Sequence, residues 1–362
     1  MNILSHPSQQ LTAEQTAIIR NDAAAAESDG KLQPAQLELV YEQQWFKMLT
    51  PETYTGMELS LPDEVRLIEA LSWADGSMGW AVTLCTGAGW FGGFLDAELS
   101  KRIFADREVC LAGSGAPTGT AILADGGYII SGTWKYASGA LHATHLTANC
   151  IIHTPDARVE VRPFIFDRKD VTVLPAWNYT GMVATGSHSF EVNNLHVSAD
   201  RCFKIDPDFA VIQNPLYQYP FHQLAEATLA VNLSGMAIHF MDLCVDLFAE
   251  KKVNKGLSAN QSAELDEALA KSVYRLNAIR PTFYDTLDDS WADYLGDSGT
   301  NPTENLNKVS MISRKLAKTS LQIVDELYPY CGLIAASTGS EINRVWRDMH
   351  TASQHALLTF AE

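Results

Sequence analysis

Hydrophobic and polar positions divide the 362-residue chain into three textures. The first hundred or so residues read as helices. Residues 13–26 contain neither Pro nor Gly, and Thr12 followed by Gln15 offers an N-capping box. Pro34 opens a second segment, 35–48, with an apolar face; 51–61 reads as a loop, and Pro62 starts another helix through Trp73. From about Cys110, short β-rich runs take over at 128–131, 145–153, 159–166, 171–174 and 189–192, separated by turn signals such as Asp125-Gly126-Gly127 and Asn193-Asn194. After Pro215, helical spacing returns over 221–251, 262–279, 305–327 and 342–360, as expected of an antiparallel bundle. The expected class is α+β: an N-terminal helical domain (1–109), a middle antiparallel β domain (110–205) and a C-terminal four-helix bundle (206–362).

One stretch tests this reading. Residues 76–95 carry no charged side chain, but six glycines interrupt them, whereas a membrane-spanning helix needs roughly 20 predominantly apolar residues. A buried helix and loop fits better. The composition, 46% hydrophobic and 19% charged, is that of a globular protein. A net charge of −17 repels phosphate backbones and anionic lipids, so neither nucleic acid nor a membrane surface is an expected partner. Six scattered cysteines without a CxxC pair indicate neither a disulfide framework nor a metal site, and reduced thiols suit a cytoplasmic protein. The opening residues lack a basic segment followed by an apolar core, so no signal peptide is expected.

The order helices, β domain, helices resembles the acyl-CoA dehydrogenase-like flavoproteins, and local motifs strengthen the likeness. Tyr54-Thr55-Gly56-Met57-Glu58-Leu59 is similar to that family's Y-G-G-x-E/L loop, with Thr55 replacing a glycine. Asp75-Gly76-Ser77-Met78-Gly79-Trp80 resembles the C-G-S-T-G-W signature of one subgroup, the two-component flavin-dependent aromatic monooxygenases. Thr185-Gly186-Ser187-His188 and Arg344-Val345-Trp346-Arg347-Asp348, followed by His355, are also similar to that subgroup. The resemblance spans roughly residues 35–360. It implies a homotetrameric monooxygenase component that hydroxylates an aromatic or phenolic small molecule through a flavin hydroperoxide, using reduced flavin from a separate reductase.

The same resemblance implies site residues. In the dehydrogenases, a segment N-G-T-K-x-W-I-T sets Trp and Thr against the flavin, the Thr near N5. Counted from the shared Gly132-Thr133, Tyr136 takes the Trp position and Ser138 the Thr position. Strand alternation puts Trp134, Tyr136 and Ser138 on one face. The alternative is two core aromatics and a serine opening a turn. Ser114 and Gly115, inside the glycine-rich stretch 113–119, stand where the family's first flavin-contacting loop lies; Thr185, Ser187 and Arg347 join the implied cofactor set. The family's R-x-x-F-G phosphate segment is missing, and its glycine loop survives only as Tyr328-Pro329-Tyr330-Cys331-Gly332, so both FAD and FMN remain open.

Many dehydrogenases take their base from a glutamate nine residues after the tail arginine. Here that position is Ala356, with His355 immediately before it. A histidine there implies an imidazole that accepts a phenolic proton or orients a phenolate. His350 is the rival on the same expected helix, but five residues turn it by about 140°, so the two should not face one pocket squarely. Other dehydrogenases place their base on an earlier bundle helix, where this chain has Glu226. The alternative function is therefore oxidation of an acyl thioester with Glu226 as base, unless that glutamate is a bundle ion pair.

Overall fold

The computed structural model describes residues 4–153, 159–296 and 302–360. Thr12 caps the first helix, α1 (Ala13–Asp29), with the expected box: its hydroxyl accepts from the Gln15 N–H, and the Gln15 side chain accepts from the Thr12 N–H. The second, α2 (Pro34–Glu42), stops before the expected boundary because Gln44 takes a left-handed φ of 56° and a 3₁₀ turn follows. Thr55, standing at a glycine position of the family loop, also adopts a left-handed φ of 63°. Three further helices complete the layer: α3 (Leu61–Ala74), α4 (Gly76–Gly89) and α5 (Ala97–Phe104).

The uncharged stretch is thus a helix packed inside the protein. Asp75 caps α4 by accepting from the Met78 N–H at 2.8 Å, and Gly79 lets α4 press against α3. A methyl group on Gly79 would lie 2.3 Å from Ser72 Oγ.

The middle of the chain forms one sheet of β1 (Leu111–Ala124), β2 (Gly127–Ala137), β3 (His145–His153), β4 (Val159–Asp167), β5 (Thr172–Leu174) and β6 (His188–Ser198). Among the described residues the strand order is β4-β3-β1-β2-β6-β5. Two expectations change. The glycine-rich stretch 113–119 lies within β1 rather than in a free loop, although the register slips between Ser114 and Gly119 and residues 115–118 bulge out. The sheet is also not wholly antiparallel. β2 returns beside β1 as a hairpin, and the chain then crosses to the other edge of β1, where β3 runs parallel to it.

The C-terminal helices are α6 (Pro215–Gln218), α7 (Phe221–Asn254), α8 (Ala259–Leu295), α9 (Pro302–Cys331), α10 (Leu333–Ala336), α11 (Glu341–Ala352) and α12 (Ala356–Thr359). Helix α7 is long and apolar enough to cross a bilayer, yet 83% of its most apolar window is buried inside the protein. Helix α8 continues through Pro281, where the sequence suggests a stop. Buried contacts pin both sides of the proline: Arg280 pairs with Glu69 at 2.6 Å, and the Tyr284 hydroxyl donates to the same carboxylate at 2.7 Å. The expected tail helix, by contrast, breaks after Ala352, and His355 becomes the N-cap of α12.

Candidate active site

A cleft of about 1010 Å³ opens where α4, the sheet and the tail meet. The sheet side is shaped by a bulge in β2. Trp134 pairs with Phe190 but Ala137 pairs with His188, so one extra residue is inserted, and Tyr136 takes a left-handed φ of 68°. The extra residue reverses the alternation. Before it, Thr133 and Lys135 face the cleft; after it, Tyr136 and Ser138 do.

Trp134 therefore points the other way, contrary to the expected shared face. It is fully buried, stacks on Phe190 at 5.2 Å, and its Nε1–H donates to the Asn149 carbonyl at 2.9 Å. Gly119 makes room for the indole: a Cβ there would lie 2.1 Å from its Cζ2 atom. Tyr136 instead joins Trp177 and Tyr179 in an aromatic group at the cleft, with 4.4 Å between the Trp177 and Tyr179 ring centres.

Ser138 is buried, and its hydroxyl lies 2.8 Å from the Ser187 hydroxyl. Ser187 lies 2.7 Å from the Thr185 hydroxyl, which donates to the Met182 carbonyl at 2.7 Å. Ser138 and Ser187 line the cleft, as do Ser114 and Gly115 on the β1 bulge; Thr185 lies behind them. Met182, left-handed at φ 54°, is anchored to the tail because its N–H donates to Asp348 Oδ1 at 2.5 Å. Burial and the nearby Asp75 push the Asp348 carboxyl up to about 7. Ser77 donates to the same side chain at 3.3 Å, and Trp80 lines the cleft. The Asp75–Trp80 signature thus supplies a helix cap, a close helix contact, a tie to the tail and part of the cleft wall.

On the tail side, both His350 and His355 line the cleft, contrary to the helical-wheel expectation. The break after Ala352 removes the rotation on which that expectation rests. Their surroundings differ. His350 is engaged with the Trp346 carbonyl at 3.0 Å and with Asp325 at 3.1 Å. His355 accepts at Nδ1 from the Leu357 N–H at 3.4 Å and meets Trp80 edge-on at 5.9 Å between ring centres. Burial holds its pKa below the usual 6.5.

Besides Trp134 and Thr185, three expected groups lie outside the cleft. Arg347 bonds to Asn343 and the Thr180 carbonyl, both at 2.7 Å, and pairs with Glu27, tying the tail to α1 and the loop before Met182. Gly332 lies beyond the end of α9, beside Lys251. Glu226 is fully buried in the bundle, paired with Arg314 and 3.5 Å from His222. Among the described residues, no group of three or more His, Cys, Asp or Glu is disposed to hold a metal ion. Sequence reasoning missed Lys135, Trp177, Tyr179 and Asp348. Asp348 and Lys135 stood inside aligned motifs, but without an assigned role; the loop holding Trp177 and Tyr179 has no periodicity to mark it.

Residues 227–360 match the family model described as acyl-CoA dehydrogenase, C-terminal domain. The fold matches the crystal structure of 3-HSA hydroxylase from Rhodococcus sp. RHA1 with a TM-score of 0.89 and 21% identity, over 98% of this chain and 94% of that one. The chain has the fold of the acyl-CoA dehydrogenase-like flavoproteins, and its C-terminal part matches their family model. It is 22% identical, over 93% of its length and 91% of the relative's, to the oxygenase subunit HsaA of a flavin-dependent monooxygenase from Rhodococcus jostii. It is also similar in fold to XiaF from Streptomyces sp., solved in complex with FADH2 and glycerol, with a TM-score of 0.84 and 21% identity over 97% of this chain and 91% of that one.

Proposed function

We propose that this protein is the oxygenase component of a two-component flavin-dependent monooxygenase. It hydroxylates an aromatic or phenolic small molecule with reduced flavin delivered by a separate reductase. The carrying observation is that Ser138 and His355, from different walls, line one cleft, whereas Glu226 is committed to an ion pair in the bundle. A relative described as an oxygenase subunit supports the separate reductase, and a neighbour holding FADH2 supports reduced flavin.

The cleft fits a flavin. Its volume of about 1010 Å³ stands at the top of the usual range for ligand sites, leaving room for a second ring system. Tyr136 and Trp177 provide aromatic walls, Ser138 a buried hydroxyl for N5, and the β1 bulge at Ser114 and Gly115 exposed backbone. Bound there, reduced flavin supplies the two electrons that let one atom of dioxygen enter the substrate ring.

The chain's own residues then orient the substrate and limit water. Burial keeps the His355 imidazole neutral at working pH. Because Nδ1 accepts from the Leu357 N–H, the neutral ring carries its proton on Nε2 and presents a donor. A donor holds a phenolate oxygen in place and favours the deprotonated, electron-rich ring. Trp80, in edge contact with that imidazole, forms an apolar wall beside it. Assembly into a homotetramer is part of this reading: Leu333 and Ile334, beside Gly332, expose apolar side chains that a second subunit would cover.

The test is turnover of a panel of phenols under ¹⁸O₂, with flavin kept reduced by a reductase. One labelled oxygen in a hydroxylated product is expected. Anaerobic bleaching of bound flavin by an acyl thioester, with no label in any phenol, would overturn the reading.

A further inference from the structure

The hydroxyl chain behind the cleft has a fixed direction. It ends on the Met182 carbonyl, which can only accept, so the single Thr185 hydroxyl proton is committed there at 2.7 Å. The 2.7 Å contact between Thr185 and Ser187 must then use the Ser187 proton. The 2.8 Å contact between Ser187 and Ser138 must in turn use the proton of Ser138. Reversing any link would leave two oxygens facing each other at hydrogen-bond distance with no proton between them. Ser138 therefore meets the cleft with lone pairs and no O–H. The terminal acceptor is itself held: the Met182 carbonyl also accepts from Trp177 Nε1 at 2.8 Å, and its N–H is anchored on Asp348.

We infer that Thr185 and Ser187 are positioning residues that fix Ser138 as a hydrogen-bond acceptor, so that the site selects the N5–H of reduced flavin over the bare N5 of the oxidised form. This rests on the flavin reading above. Reduced flavin carries a proton on N5 and donates to Ser138. Oxidised flavin presents a lone pair to a lone pair. Thr185 is fully buried and does not line the cleft, so its influence on the ligand passes through Ser187 and Ser138.

Anaerobic titration with FMN and FAD, each oxidised or dithionite-reduced, gives the ratio of the two dissociation constants for each protein. The native protein should favour the reduced form. Thr185→Val keeps the side-chain shape but frees the Ser187 proton to turn towards Ser138, so the ratio should fall about tenfold. Ser187→Ala, which leaves the bond from Thr185 to Met182 intact, should lower the ratio similarly, and Thr185→Ser should restore it. A purely structural defect would weaken both forms together and leave the ratio unchanged. That result in the Thr185→Val protein, or in Ser187→Ala if the valine variant does not fold, overturns the inference while leaving the flavin reading intact. Equal affinity of the native protein for both forms does the same. A native protein that binds neither form overturns the flavin reading and this inference with it.

Discussion

On the sheet side of the cleft, Ser138 is buried and tied through two further hydroxyls to a carbonyl. On the tail side, His355 has one 3.4 Å hydrogen bond to the first turn of its own short helix and an edge contact with Trp80. The difference suits the roles proposed for the two groups. A hydroxyl can donate or accept, so using it in one sense requires a network that settles the proton. A neutral imidazole whose Nδ1 accepts from backbone already has its donor defined and needs no further network. In the proposed function the wall with the settled protons faces the flavin, and the wall with the single hydrogen bond faces the substrate.

Breaking the sheet wall should have the largest effect. Trp134→Ala removes an indole packed on Phe166 and Phe190 and leaves the Asn149 carbonyl without its donor, so chemical denaturation should show a loss of about 3–5 kcal/mol. Disturbing the tail wall should instead be felt in chemistry. His355→Ala is expected to lower hydroxylation about 100-fold while changing reduced-flavin affinity less than about threefold, as steady-state assays and titration would show. Equal losses in both would place the imidazole on the flavin.

A smaller effect separates the cleft from the bundle. Glu226→Gln should cost about 1–2 kcal/mol by weakening the pair with Arg314, yet leave product formed per bound flavin unchanged. A collapse of turnover in a folded Glu226→Gln protein would move the chemistry into the bundle.

The smallest signal is in pH. Burial favours the neutral form of His355 in the folded protein, so the unfolded chain takes up the proton more readily. Acidification below the ordinary value of 6.5 therefore costs stability, and the acid limb of turnover should lie below that value. A limb at or above 6.5 would mean a solvated imidazole. His355→Asn should abolish the limb.

Much of this frame is legible in the sequence because local rules act there without competition. The Thr12–Gln15 box and the strands at 145–153 and 159–166 needed nothing beyond neighbouring residues. The misreadings share one cause, a local pattern overruled by a single residue's backbone or by distant contacts. Simple alternation from Trp134 to Ser138 fails because Tyr136 sits in a bulge, which sends the indole inward and the phenol outward. A continuous tail helix fails because the chain breaks after Ala352, and that break brings both histidines to the cleft. β1 looked like a loop because its glycines make room for Trp134 and form a bulge, and neither demand shows in a period of two. Trp177 and Tyr179 reach the site through irregular loop structure alone.

The central claim is that this cleft holds reduced flavin and governs its reaction with oxygen. Stopped-flow mixing of oxygen with reduced flavin, alone and with excess protein, tests this without knowing the substrate. The account predicts that the protein-bound flavin returns to its oxidised form more slowly than free flavin and releases peroxide later. Oxidation at the free-flavin rate, with peroxide appearing in step, would contradict it.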